Sequence, residues 1–159
     1  RQVLAIPLAL VSMSLSQLSL NKFSSIIKEG GNVFYFFIKI FAALFTLGLI
    51  GSFLFSIFSE DIFLLFGNSW GGASDISKVL VWSYLIKFVV SPLTSYYTAS
   101  EKLKLFAVWQ VLYFTGMLSL FFYEYSSVSQ FIKYLVGLDV IFYILNFSML
   151  CFQIKAGNK

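Results

Sequence analysis

The chain has 159 residues, of which 59% are hydrophobic, 20% aromatic and 11% charged, with a mean hydropathy of +0.87. Soluble domains carry about 45–50% apolar and about 25% charged residues, and twenty Phe with nine Tyr are too many for a water-facing surface of this size, so the composition excludes a soluble domain and predicts an integral membrane protein. The absence of His removes the usual general base and metal ligand, the lone Cys151 has no partner for a disulfide within the chain and is read as a packing residue, and a net charge of +4 calls for no nucleic acid. No enzyme activity, metal or cofactor is expected.

The chain opens on Arg1 and enters an apolar run without the charged n-region or cleavage site of a signal peptide. It therefore reads as a fragment lacking its N-terminal part. Residues 3–20, with Pro7 near their start and Ser12 and Ser16 on one face, predict a first span that is the tail of a longer helix. In residues 20–29, Leu20, Phe23, Ile26 and Ile27 oppose Asn21, Lys22, Ser25, Lys28 and Glu29, the pattern of a short interfacial helix. Gly30-Gly31-Asn32 ends it. Residues 33–58 form the second span, with Lys39 about 9 Å inside its start, close enough to snorkel to the headgroups. Gly48, Ser52 and Ser56 give this helix a smooth ridge for a neighbour. Residues 59–61 read as a polar turn, and residues 62–66 as too short to cross. Gly67 and Gly71-Gly72 bracket a loop whose Trp70 anchors at the headgroups, and Ser74 or Asp75 caps the next helix.

The central element is the third span, residues 76–99. Lys87 stands at its middle, where a charge is expensive by about 2.5–3.5 kcal/mol and by default faces the protein interior. Ser77, Tyr84, Lys87, Ser91, Thr94 or Ser95, and Thr98 recur at three- and four-residue steps and make one side polar. Pro92 predicts a kink beside Lys87. A charged turn at residues 100–104 leads to a fourth span, 105–123, which contains Gln110 and Gly116. After the opposite turn at 124–129, the last span, 130–152, carries Asp139, Tyr143 and Asn146 on one face. Residues 155–159 read as a frayed polar tail.

The predicted fold is all-α: a polytopic membrane bundle of about five transmembrane helices plus one short interfacial helix. A rise of 1.5 Å per residue places Lys87 about 16 Å and Asp139 about 14 Å deep, at one level, so the two either pair or leave Lys87 free to face a cavity. The loops with Lys22, Lys28, Lys102, Lys104, Lys155 and Lys159 predict a cytoplasmic side that includes the C-terminus, opposite Glu60, Asp61, Asp75 and Glu124.

The order of elements, with Leu65-Phe66-Gly67-Asn68-Ser69-Trp70 and Ser91-Pro92-Leu93 as its most characteristic residues, resembles the C-terminal part of bacterial polysaccharide and O-antigen flippases. These form the polysaccharide-transporter branch of the multidrug/oligosaccharidyl-lipid/polysaccharide exporter superfamily, and the resemblance covers essentially the whole chain. It implies a protein of about twelve helices in two pseudo-symmetric halves, of which the last five are present and the N-terminal half is the missing partner. It further implies a multi-pass protein of the bacterial inner membrane. Such a protein moves an undecaprenyl-pyrophosphate-linked oligosaccharide, for lipopolysaccharide or exopolysaccharide synthesis, to the outer leaflet by alternating access, beside polysaccharide polymerase machinery. Lys87, Tyr84, Ser91, Asp139, Asn146 and Lys39 are then the candidates for the substrate pathway, and Phe66, Gly67, Trp70 and Pro92 are the structural motif residues. A free Lys87 would bind pyrophosphate. The alternatives are a multidrug or cation exporter of the same superfamily using Asp139, a membrane-embedded glycan-synthesis enzyme for which Glu60-Asp61 is the nearest catalytic group, and a scaffold without transport.

Overall fold

The computed structural model describes residues 2–65, 67 and 71–157. Within them the chain is all-helical, 89% helix with no strands. The helices are α1 (Gln2–Lys28), α2 (Val33–Leu64), α3 (Gly71–Leu93), the short α4 (Ser95–Ala99), α5 (Leu103–Leu118), which tightens into a 3₁₀ turn at Ser119–Phe122, and α6 (Val128–Gly157). Four stretches among the described residues, Val33–Leu64, Ala73–Ala99, Leu103–Phe122 and Val128–Gly157, are long and apolar enough to cross a membrane.

α3 is the axis of the bundle. It packs against α1, α2 and α6, whereas α5 reaches the rest through α6 and α4. Its contact with α2 depends on Gly48, where a Cβ would stand 2.6 Å from Leu85 Cδ1, so the ridge foreseen on α2 is where α3 lies. Leu44, Leu85, Phe88 and Val89 form one core there, with Leu15 of α1 packed on it. A second core near the Lys28 end joins Phe23, Phe37, Leu93, Tyr97, Leu150 and Ile154, and Cys151 packs against it. The outward faces keep large apolar side chains exposed, among them Leu47, Phe53, Phe114 and Ile141, as helices bathed in hydrocarbon do.

Several expected boundaries move. Residues 20–29 are not a separate interfacial helix but the continuation of α1, because nothing between Leu20 and Lys28 interrupts the backbone. The stop comes at Gly30, whose φ of +67° lets the Gly31 N–H reach back to the Ile26 carbonyl at 2.8 Å. Residues 59–61 are likewise not a turn; they lie inside α2, which runs on to Leu64. The Ser59 hydroxyl is buried against that of Ser74 at 3.0 Å, and Glu60 pairs with Lys78 at 2.7 Å, so these polar residues tie α2 to α3. Ser74 and Asp75 do not cap α3, since the helix already starts at Gly71. Residues 155–157 remain helical.

The span at 76–99 does break, though not beside Lys87. Pro92 offers no N–H, the ladder slips at Thr94, whose N–H is shared between the Val90 and Ser91 carbonyls at 3.2 Å each, and α4 starts afresh. The Thr94 and Ser95 hydroxyls take the carbonyls of Ser91 and Pro92. The break therefore lies nearly two turns beyond Lys87.

Candidate functional site: a buried charge cluster

Ser83 and Lys87 are four residues apart on α3 and so share one face. That face meets α6 at Asp139, whose side chain is fully buried. The Lys87 ammonium donates to Asp139 Oδ2 at 2.6 Å and the Ser83 hydroxyl donates to the same oxygen. From α5 the Tyr113 hydroxyl donates to Asp139 Oδ1 at 2.7 Å. Three helices thus converge on one carboxylate. Burying a charge is tolerated only when it is paired and its remaining lone pairs are filled, and here both oxygens are engaged.

The sequence sets up this meeting locally. At Gly116 a Cβ would fall 2.3 Å from Phe142 Cε2, so only glycine lets α5 and α6 come this close, one turn beyond Tyr113. Trp109, one turn earlier, donates its indole N–H to the Phe142 carbonyl at 3.0 Å and fixes the same contact. Lys87 keeps 28% of its side chain accessible. Its ammonium lies 6.0 Å from the centre of the Tyr143 ring, and the Tyr143 hydroxyl lies near the Ser91 side chain. The open edge of α3 therefore reads Tyr84, Lys87, Ser91, all half-buried, and the exposed Thr98 lies beyond the break, on α4. The cluster carries one positive and one negative charge and is neutral as a unit.

Two turns further along α6, Asn146 is fully buried and accepts a hydrogen bond from Tyr97 of α4 at 3.0 Å. Its Nδ2 and the Ser19 hydroxyl of α1 are buried without a partner among the described residues.

Of the residues singled out in the sequence, the structure brings Lys87 and Asp139 into direct contact and places Ser91 beside Tyr143. Tyr84 lines the same edge of α3 without touching the pair. Asn146 shares α6's inward face with Asp139 but belongs to the Tyr97 contact. Lys39 is exposed on α2, away from the cluster. Gly67 takes a φ of +114°, a left-handed conformation suited to glycine. Phe66 and Trp70 lie outside the described residues. Among the described residues, no group of three His, Cys, Asp or Glu side chains stands ready to hold a metal ion.

Ser83, Tyr113 and Tyr97 carry the site and were not singled out in the sequence. Ser83 had a signal, one helical turn before Lys87. Tyr113 had none, because its role appears only once α5 is laid against α6.

Fold and site define an α-helical bundle of membrane-spanning length with a buried ion pair between its central and last helices. Set against protein-family models, curated proteins and solved structures, the chain matches none of them.

Proposed function

We propose that the chain is a C-terminal helical portion of a transporter that carries an undecaprenyl-pyrophosphate-linked oligosaccharide from the inner to the outer leaflet of the bacterial cytoplasmic membrane. The observation that carries this reading is the Lys87–Asp139 pair near the middle of the apolar stretch Ala73–Ala99, on an edge of α3 that stays polar through Tyr84 and Ser91. Ionisable groups at that depth mark pathways, and broken helices are tolerated where they line a cavity or are buried in protein. The Ser91-Pro92-Leu93 and Leu65-to-Trp70 resemblances supply the cargo class. Because Asp139 neutralises Lys87, the lysine meets a pyrophosphate only when the pair opens; in the closed state the pair clamps α3 to α6.

Cation exchange at Asp139 is the less favoured reading, since both carboxylate oxygens are already engaged, Oδ2 by the Lys87 ammonium and the Ser83 hydroxyl and Oδ1 by the Tyr113 hydroxyl. For topology, Lys102 meets Gln153 and Lys155 lies over Phe34, which gathers Lys28, Lys102, Lys104 and Lys155 at one end. We assign that end to the cytoplasm.

The test is deletion of the gene in a strain with no second flippase gene, followed by complementation. Loss of surface glycan with lipid-linked repeat units left on the cytoplasmic leaflet is the expected result. Normal surface glycan overturns the proposal.

A further inference from the structure

Residues 123–127 join two stretches of membrane-crossing length, Leu103–Phe122 and Val128–Gly157, so this turn lies at a membrane boundary, at the end opposite Lys102 and Lys155. Between Lys104 and Lys133 the only charged residue is Glu124. What the turn presents instead is aromatic: Phe121 and Phe122 stand 85% and 90% exposed. They continue the outward face of α5, where the exposed Val111, Phe114 and Leu118 follow one another at three- and four-residue steps. Across the turn, Tyr134 opens the outward face of α6, which goes on through Ile141 and Leu145, all exposed.

The turn is held from within. The Ser126 N–H donates to Gln130 Oε1 at 2.9 Å and the Gln130 N–H donates to the Ser127 hydroxyl at 3.2 Å, which ties the loop to the first turn of α6. The Tyr123 ring stands 5.1 Å from Tyr125 and 5.3 Å from Tyr134, and Tyr125 meets Phe131 edge-on at 5.1 Å. Leu120 is buried and seats the 3₁₀ turn that carries Phe121 and Phe122 outward. A tyrosine has an apolar ring and a polar tip and favours a place where one end is dry and the other wet. Within α5 only Trp109 is buried, so packing alone does little to fix the depth of this helix.

We propose that residues 119–134 form a membrane-seated anchor, with Phe121 and Phe122 in the boundary between acyl chains and headgroups of the leaflet on the Glu124 side, and Tyr123, Tyr125 and Tyr134 among its headgroups. The partner is the phospholipid surface itself. The patch is continuous with the apolar outward faces of two spans, so the hydrocarbon that covers those faces also meets the turn. A rigid turn loses little freedom on insertion, which favours binding. Because α5 brings Tyr113 to Asp139, the anchor also sets the level at which that hydroxyl is offered. This role holds whatever the protein carries.

The experiment places single spin-labelled cysteines (Phe122→Cys, Phe114→Cys or Glu124→Cys) in the full protein, in a Cys151→Ser background, reconstituted in vesicles of phosphatidylethanolamine and phosphatidylglycerol. Collision with oxygen, which concentrates in hydrocarbon, is compared with collision with a water-soluble nickel chelate. The label at position 122 should give an oxygen-to-nickel ratio between those at 114 and 124, which puts it about 5–10 Å into the headgroup boundary. A ratio equal to that at 124 leaves the turn in water and overturns the anchor. Low access to both reagents means that protein covers the patch and overturns the lipid assignment, in favour of a second copy where the labels also broaden one another's spectra. Phe121→Ser with Phe122→Ser removes only exposed side chains, so the unfolding midpoint in mixed micelles should hold. In vesicles the same change should lower the oxygen-to-nickel ratio of a label at Leu118→Cys several-fold, and tryptophan at both positions should restore it. An unchanged ratio at 118 in the serine variant refutes the proposal.

Discussion

Replacing Lys87 by Met keeps the length and apolar stem of the side chain and deletes the ammonium that sits 2.6 Å from Asp139 Oδ2. Breaking a buried pair from one side typically costs about 3–5 kcal/mol, because the other charge is left uncompensated. Asp139 is fully buried, so the cost should be felt in full, yet the Ser83 and Tyr113 hydroxyls still donate to it. A hydrogen bond to a charged group contributes about 1.5–3 kcal/mol, and retaining two of them places Lys87→Met at the lower end, about 3 kcal/mol, or roughly 150-fold in the folded-to-unfolded ratio. Asp139→Asn should cost less, about 1–2 kcal/mol, since the amide oxygen can still accept from Tyr113 while Lys87 retains 28% accessibility and some solvation. Reversible unfolding in mixed micelles, followed by tryptophan fluorescence, measures both. Trp109 is a local reporter because it stacks on Tyr113 at 5.4 Å. The exchange Lys87→Asp with Asp139→Lys then separates clamp from cargo site. A structural pair predicts recovery of both stability and glycan export, whereas a headgroup-binding lysine predicts a folded protein that exports nothing. Lys87→Met within about 0.5 kcal/mol of the parent protein, the range of ordinary surface changes, would refute the reasoning.

Gly116→Ala should destabilise by about 1–3 kcal/mol by overpacking against Phe142, and Phe142→Leu in the same chain should recover most of that loss in the same unfolding assay. Gly48→Ala should be milder, because its close neighbour is the freely turning Leu85 Cδ1 methyl. Tyr97→Phe should cost about 1–3 kcal/mol by leaving the buried Asn146 amide wholly unpaired; adding Asn146→Leu should restore the unfolding midpoint, and no recovery would show that the pair is not what holds α4 to α6. In a Cys151→Ser background, Asp61→Cys and Glu124→Cys should react with an impermeant maleimide in outer-membrane-permeabilised cells, and Lys104→Cys only after inner-membrane lysis. The reverse pattern inverts the topology.

The existence of the helices over 33–58, 105–123 and 130–152 was legible because apolar composition alone sets them. The common depth of Lys87 and Asp139 was legible because helical rise is a constant. Helix ends were not. Hydropathy falls where the membrane ends, whereas a helix ends where its backbone must, and the two differ at residues 59–61, where Ser, Glu and Asp continue α2 while pairing with α3. The same confusion split residues 20–29 from α1: the amphipathic pattern was real, but its polar side is the outer face of a longer helix. The missing half of the site has a different cause. A carboxylate needs donors from several directions, and which hydroxyls supply them is decided by helix contacts that one-dimensional periodicity does not encode.

The placement of polar groups answers a problem specific to a bundle of this composition. Between apolar helices in lipid there is no hydrophobic force to choose one register over another, so packing and interhelical hydrogen bonds must do so. On α6 the two buried polar residues, Asp139 and Asn146, are seven apart, two turns along one face. Each is held by a different element, Asp139 by α3 and α5, Asn146 by Tyr97 of α4. Sliding α6 by one turn would set Phe142 or Tyr143 against Lys87 and leave both polar contacts empty together. The break after Pro92 belongs to the same device, because α4 as a separate helix can place Tyr97 against Asn146 while Lys87 stays against Asp139. Straightening α3 into α4 would therefore strain two contacts at once, and opening the Lys87–Asp139 pair would leave α6 pinned at Asn146. A bundle fixed at one level and openable at the other pivots about the Tyr97–Asn146 contact, so the displacement of α6 relative to α3 should grow from residue 146 toward Val128. Spin labels on α3 and α6 would measure this as a distance change that is larger at the Val128 end than at the Gly157 end, and equal changes at both ends would rule the pivot out.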